Sequence, residues 1–216
     1  MNAIIFTGGR YRSPGFYRKY LEEHPADCIV AADAGAGMLM ELGIVPRLLM
    51  GDLDSIRPEV LAWVREKDIP VYRHPTHKNE TDTELAVTWC LEQGAGSIAL
   101  LGALGTRFDH SLANVHLLYR MLCRGVEAVV ADEYNTLFLI KGRKALALEP
   151  GTTLSLLAYT EAARGITLTG FEYPLDDAGL DHLEPGLGVS NVTVGPRQVV
   201  EVKEGLLLAD VVREEF

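Results

Sequence analysis

The chain reads as an α/β protein, with a doubly wound, mostly parallel sheet domain over residues 1–133 followed by a smaller antiparallel β-sandwich domain over residues 134–216. Three observations predict this. Short apolar runs alternate with amphipathic segments of helical period throughout the first part, the pattern of strand–helix–strand units. After Asn135 the helical period disappears, and β-type runs follow one another with glycines at the breaks. Several apolar runs of the first part also end in a carboxylate, and in open α/β sheets ligands sit beyond the carboxyl ends of the strands.

In order, the first part is predicted as strand 3–7, helix 14–23, strand 28–32, helix 36–42, strand 47–51, helix 58–67, strand 70–73, helix 82–93, strand 97–102, helix 110–124 and strand 127–131. Pro58 suits a helix start, where its missing N–H would have had no helical partner. Thr81 ahead of Asp82 and Glu84 has the pattern of a capping box. Gly94 and Gly125 fall just past helix ends, where a left-handed residue closes the last turn. The second part is predicted as strands 136–140, 144–148, 152–159, 165–172, 188–194, 198–203 and 205–211, with Gly142, Gly151, Gly165, Gly195-Pro196 and Gly205 at the turns. No Ser- or Pro-rich linker marks the join, so the two parts are expected to pack closely.

Composition narrows the function. At 216 residues, 48% hydrophobic and 23% charged, the chain can bury a sizeable core and has the balance of a globular protein. Thirty acidic against twenty basic residues leave a net charge of −10, which disfavours a nucleic-acid surface and suits metals or a cationic small molecule. Met1-Asn2-Ala3-Ile4-Ile5-Phe6 carries no basic leader, and no run approaches the roughly 20 apolar residues of a membrane span. A cytoplasmic protein with no membrane partner is expected. Cys28, Cys90 and Cys123 lack ligand spacing and read as small buried hydrophobes.

Four segments carry the chemistry. Leu48-Leu49-Met50-Gly51-Asp52-Leu53-Asp54-Ser55 is an apolar strand ending in two carboxylates one residue apart, which extended backbone would point to one side, toward one hard cation. Mg²⁺ takes one or two protein carboxylates and completes its octahedron with water and phosphate oxygens. A plainer role is also open, with Asp54-Ser55 capping the next helix. Asp33-Ala34-Gly35-Ala36-Gly37 stands at a strand-to-helix turn whose glycines let backbone N–H groups reach phosphate, unless Asp33 is a simple cap. In Lys78-Asn79-Glu80-Thr81-Asp82-Thr83-Glu84, capping explains Thr81 and Glu84, while Asp82 is the metal candidate; His74 and His77 read as exposed loop residues. Gly102 through His110 sets Arg107 two residues before Asp109 at a helix start. The guanidinium can grip phosphate oxygens and the carboxylate can orient or deprotonate a hydroxyl, although a surface ion pair worth about 0–1 kcal/mol has the same sequence. His110 and Asn114 are supporting groups in this reading. Clustered aspartates repel by about 3 kcal/mol per pair at ~5 Å and an effective dielectric near 20, and a divalent cation reverses that sign. Phosphate-loop, dinucleotide-fingerprint, serine-elbow and zinc-helix motifs are absent from the sequence.

Together, Ala32-Asp33 with its glycines, Pro46 through Ser55, Lys78 through Ala86 and Gly102 through His110 resemble the thiamine pyrophosphokinases, particularly bacterial ones, in order and spacing. The likeness continues through Gly165-Ile166-Thr167-Leu168-Thr169-Gly170-Phe171-Glu172-Tyr173-Pro174-Leu175 and Leu187-Gly188-Val189-Ser190-Asn191. It implies an ATP-binding, catalytic α/β domain joined to a thiamine-binding β-sandwich that also dimerises, with active sites between the subunits of a homodimer. The implied reaction is Mg²⁺-dependent transfer of a diphosphate group from ATP to thiamine, releasing AMP. Matched residue by residue, the resemblance implies Asp33, Asp52, Asp54 and Asp82 as magnesium-and-phosphate carboxylates, and Arg107 and Asp109 as the catalytic loop. It further implies Asp33, Gly35, Lys78, Thr81, Gly105 and Arg107 as nucleotide contacts, and Asp109, Ser190 and Asn191 as thiamine contacts. The chain departs from the family's pattern at Ala34, where glycine is common, and at Asn79, where bacterial members often have Asp. Trp63 and Trp89 fall in predicted helices, which leaves Phe171 or Tyr173 as aromatic candidates for stacking on thiamine.

The expected mechanism is in-line attack of thiamine's primary hydroxyl on the β-phosphorus, driven by positioning and electrostatics. Two other readings share the motifs: a pyrophosphokinase acting on another alcohol, such as a pterin, and a non-catalytic nucleotide or thiamine sensor. The Arg107/Asp109 pair speaks against the sensor, which needs no hydroxyl-activating group.

Overall fold

Apolar runs too short for helices become parallel strands in the first of the two units, Met1–Glu133 and Tyr134–Phe216, into which the chain divides. The computed structural model describes residues 1–73 and 80–213. The first unit comprises β1 (Asn2–Phe6), α1 (Pro14–Glu23), β2 (Cys28–Ala32), α2 (Ala36–Leu42), β3 (Leu48–Gly51), α3 (Pro58–Glu66), β4 (Val71–Arg73), α4 (Asp82–Glu92), β5 (Ser97–Leu101), α5 (Phe108–Cys123) and β6 (Glu127–Ala131). Its strands are all parallel, in the order β6-β5-β1-β2-β3-β4. From β1 the chain winds outward to β4 and then returns to the other side of β1, so the order reverses between β1 and β5. At such a switch point the loops leaving two neighbouring strands diverge and open a crevice.

The core beneath that crevice is apolar and close-packed. Phe6, Tyr17, Leu39, Leu49 and Leu101 are fully buried in one cluster with Val60 and Val64, each large side chain contributing about 1.5–3 kcal/mol. This anchors the strand tips that carry the polar residues. Pro14 and Pro58 open α1 and α3. The Thr81 hydroxyl caps α4 by accepting from the Glu84 N–H at 3.1 Å. Glu84 itself accepts from Arg120 of α5 at 2.9 Å, so half of the expected capping box is exchanged for a tie between helices. Cys28 and Cys90 are buried as expected, whereas Cys123, in the last turn of α5, is exposed.

The second unit is antiparallel: β7 (Asn135–Leu146), β8 (Thr153–Ala158), β9 (Ala162–Thr169), β10 (Ala178–Asp181), β11 (Asn191–Val192) and β12 (Gln198–Val212). Three of the expected turns, at Gly142, Gly165 and Gly205, are not breaks. Gly142 and Gly205 take φ of 70° and 83°, yet β7 and β12 continue through them, paired on both sides of an irregularity between Val202 and Leu207. Glycine here supplies a left-handed residue within a ribbon, not the end of a strand. β12 pairs β7 along both halves, β9 from Val199 to Glu204, and β8 from Leu207 to Val212. The predicted strand 188–194 contracts to β11 after a 3-10 turn at Pro185–Gly188. β10, whose Ala-Gly-Leu-Asp has little β propensity, forms by pairing with β9. Among the described residues no helix is long and apolar enough to cross a membrane.

Candidate active site

Parallel pairing brings the ends of β2 and β3 and the start of α4 together, and with them Asp33, Asp52 and Asp82. One carboxylate oxygen from each lies within 4.8 Å of the other two, and all three residues are partly buried. Asp33 begins a 3-10 turn, Asp33–Gly35, with φ of 49°. Its Oδ2 accepts a short hydrogen bond from Ser55 Oγ, while its Oδ1 is buried with no hydrogen-bond partner among the described residues. Burial pushes the Asp33 carboxyl above its ordinary range; the Ser55 hydroxyl and the Ala34 N–H pull it back in part, and the charges of Asp82 and Asp52 raise it further. An all-oxygen, anionic donor set containing one unsatisfied buried oxygen fits a hard divalent cation such as Mg²⁺.

Asp54 stands outside this group of three. β3 stops at Gly51, and Leu53 takes φ of 68° with its side chain buried, so the strand alternation that would align Asp52 with Asp54 ends between them. The Asp54 N–H donates to Asp52 Oδ1 at 3.2 Å. Its exposed carboxyl is pushed up by hydrogen bonding with the Asp52 carboxylate and by the Asp52 charge.

A cleft of about 640 Å³ opens at the switch point. Its walls are the loop Thr7-Gly8-Gly9-Arg10 after β1, the three aspartates with Ser55 and Thr81, and the loop Gly105-Thr106-Arg107 with His110. The first of these loops was not among the sequence candidates, although a Gly-Gly pair directly after an apolar strand is a readable signal. Gly9 is there for closeness: a Cβ on it would lie 2.0 Å from the Gly102 carbonyl oxygen. Gly35 has the same explanation, since a Cβ there would lie 2.1 Å from the Phe6 carbonyl oxygen; it does not line the cleft. Gly105 does line it, and its N–H donates to Ser111 Oγ at 3.0 Å. Buried Asn114 supports the same loop by donating to the Ala103 carbonyl at 2.8 Å. Lys78, together with His74, His77 and Asn79, lies outside the described residues.

Arg107 grips Asp109 with both arms, Nε to Oδ1 at 3.1 Å and Nη2 to Oδ2 at 2.5 Å. Both side chains are exposed; Arg107 lines the cleft and Asp109 does not. The Arg107 hydrogen bonds hold the Asp109 carboxyl at about 2, so in this arrangement it is a weak base, better suited to orienting a hydroxyl than to deprotonating it.

In the second unit, Ser190 is exposed at φ of 59°, its N–H donating to Ser155 Oγ at 3.0 Å. Asn191 is buried and its carboxamide bonds through both ends: Oδ1 accepts from the N–H groups of Tyr173 at 3.1 Å and Val192 at 2.9 Å, and Nδ2 donates to the Tyr173 carbonyl at 2.7 Å. Asn191 therefore braces the Tyr173 segment. Of the two aromatic candidates, Phe171 is core and Tyr173 is 61% exposed.

Comparison with known proteins gives a consistent result. Residues 17–130 match the family model described as thiamin pyrophosphokinase, catalytic domain, and residues 140–207 match thiamin pyrophosphokinase, vitamin B1 binding domain. Thiamine pyrophosphokinase of Bacillus subtilis is 28% identical over 191 residues, 88% of each chain. The crystal structure of the Bacillus subtilis thiamine pyrophosphokinase superposes with a TM-score of 0.89 at 25% identity, covering 100% of both chains. That of thiamin pyrophosphokinase from Geobacillus thermodenitrificans superposes with a TM-score of 0.86 at 28% identity, covering 100% of this chain and 99% of the other.

Proposed function

The chain belongs to the thiamine pyrophosphokinase family, and on that premise we propose that its first-unit cleft binds ATP with Mg²⁺ and that the enzyme transfers the diphosphate group to the hydroxyl of thiamine, yielding thiamine diphosphate and AMP. The observation that carries this reading is the convergence of Asp33, Asp52 and Asp82 in a cleft that Arg107 also lines. A diphosphate donor needs an anchored cation and a mobile cationic side chain at its phosphates.

Asp33, Asp52 and Asp82 would hold the metal, which when bound neutralises phosphate charge and makes the β-phosphorus more electrophilic. Gly8 and Gly9, exposed where they line the cleft, would offer backbone N–H groups to the triphosphate. Arg107 bears the charge of the transferred group. As Arg107 turns to phosphate it releases Asp109, whose proton affinity then rises where the alcohol must lose its proton. In the second unit, Ser190 and Tyr173 are the proposed thiamine contacts, and Asn191 acts by holding Tyr173 in place. A homodimer with shared active sites and a cytoplasmic location complete the proposal.

The test is to incubate the purified protein with ATP, Mg²⁺ and thiamine and to quantify AMP and thiamine diphosphate together. Equimolar appearance of both is expected. AMP formed only with a pterin alcohol would reassign the acceptor, and tight nucleotide binding without AMP would make the chain a sensor.

A further inference from the structure

We propose that Tyr11 and Glu133 are positioning residues for nucleotide binding, clamping the Thr7–Arg10 loop from both ends so that it is held in place before ATP arrives. The inference rests on the functional reading above, since it concerns how the nucleotide cleft is kept in shape.

The loop needs outside support. Gly8, Gly9 and Arg10 are exposed, and the two glycines have no side chains with which to anchor themselves. Upstream, the Thr7 N–H donates to the Leu101 carbonyl at 2.9 Å and Thr7 Oγ1 to the Gly102 carbonyl at 2.5 Å, which fastens the end of β1 to the end of β5. The Tyr11 hydroxyl closes the loop back onto this join, donating to the Thr7 carbonyl at 2.7 Å with the Leu101 carbonyl 3.2 Å away. Its ring occupies space left by Gly102, where a Cβ would lie 2.2 Å from a ring carbon. One phenol thus bridges the two strand ends that define the switch point.

Downstream, Glu133 stands just beyond β6. Its Oε1 accepts from the N–H groups of Arg12 at 2.7 Å and Ser13 at 2.8 Å, and its Oε2 accepts from the Tyr17 hydroxyl at 3.0 Å. Burial alone would raise the Glu133 carboxyl, but the Ser13 and Arg12 N–H groups and the Tyr17 hydroxyl outweigh it and hold it below the ordinary range. The rings of Tyr11 and Tyr17 meet edge to face with centroids 4.9 Å apart, joining the two ends of the clamp. Neither Tyr11 nor Glu133 lines the cleft, so both act through the loop. The aspartates and Arg107 sit on other segments. A slackened loop should therefore weaken nucleotide affinity by adding an ordering cost to binding, while the chemical step stays nearly unchanged.

The experiment compares full-length wild type, Tyr11→Phe, Glu133→Ala and Glu133→Gln. KM and kcat are measured for both substrates, and binding of α,β-methylene ATP, which cannot lose its diphosphate, is measured by calorimetry with Mg²⁺. Tyr11→Phe keeps the ring and removes only the hydroxyl; Glu133→Gln keeps an oxygen for both N–H groups and an amide N–H for the Tyr17 oxygen. Tyr11→Phe and Glu133→Ala should raise the KM for ATP and the Kd of the analogue about five- to tenfold, leave kcat and the thiamine KM within about twofold, and be matched by a Glu133→Gln close to wild type. If Glu133→Ala does not fold, Tyr11→Phe decides alone. Unchanged analogue affinity in Tyr11→Phe, or a fall in kcat at unchanged KM, overturns the clamp while leaving the enzyme assignment intact. A wild type that neither binds the analogue nor releases AMP overturns both.

Discussion

Asp33→Asn should stabilise the protein without metal and blunt its response to metal. Asparagine matches aspartate in size and tolerates the φ of 49° at this position. Its amide oxygen can still accept from Ser55, and its NH₂ would take the place of Oδ1, the buried atom with no hydrogen-bond partner among the described residues. The neutral amide would also replace an anion beside the carboxylates of Asp52 and Asp82, one oxygen of each of which lies within 4.8 Å of an oxygen of Asp33. Leaving a buried polar atom unsatisfied costs about 1–3 kcal/mol. Because Asp33 is only partly buried, the lower part of that range applies, about 1–2 kcal/mol, or roughly 2–8 °C in Tm for a chain of this length.

The pH dependence has a definite sign. The folded-state carboxyl of Asp33 is raised, so protonating it stabilises the wild type; that stability is complete below the unfolded value and lost as pH rises through the folded one. The advantage of the Asp33→Asn protein over wild type should therefore be greatest at about pH 8 and close as pH falls toward the ordinary carboxylate range of about 4. Thermal melts in EDTA across that interval, repeated with excess Mg²⁺ and ATP, read both effects, since a ligand that binds only the folded protein raises its Tm. An Asp33→Asn protein that melts below wild type in EDTA at neutral pH, or gains as much from Mg²⁺ and ATP, would refute the reasoning.

Two further substitutions test other parts of the molecule. In Gly9→Ala the new Cβ would stand 2.0 Å from the Gly102 oxygen, where ordinary contact begins at 3.4 Å; the loops must part by up to 1.4 Å, the difference of the two. A displacement of this order costs about a hundredfold in turnover, measurable as AMP formation, whereas Gly96→Ala, which meets nothing within 4 Å, should behave as wild type. Asn191→Ala strands two part-buried N–H groups and one carbonyl and should cost about 1–3 kcal/mol, seen as a lower urea midpoint; an unchanged midpoint would mean that water replaces the carboxamide.

The parallel half of the fold was legible because its central strands are buried on both faces and so appear as unbroken apolar runs, such as Ile4-Ile5-Phe6 and Leu48-Leu49-Met50. Asp33, Asp52 and Asp82 stood out for the same reason, each interrupting an apolar pattern at the end of a strand or the start of a helix. That Asp54 stands outside the group of three carboxylates was not legible, since the strand alternation ends at one backbone angle, at Leu53. Nor was the internal duty of Asn191, because its partners at Tyr173 lie 18 residues away. In the antiparallel half, Gly142 and Gly205 carry turn chemistry that is locally indistinguishable from a hairpin break. Only the ladder between β7 and β12, 11 matched residue pairs spanning both halves of each strand, shows that the chain does not reverse there.

The long final strand of the second unit has a consequence for how this half is made. β7, β8 and β9 all hydrogen-bond to β12, and β12 leaves the ribosome after each of them. Until Gln198–Val212 emerges, these earlier segments lack their common neighbour and must wait as a loosely ordered nascent chain, because pairings so distant in sequence form slowly. Once β12 arrives, one segment joins both sides of the ladder, so this half should consolidate in a single cooperative step, with no stable fragment short of the whole.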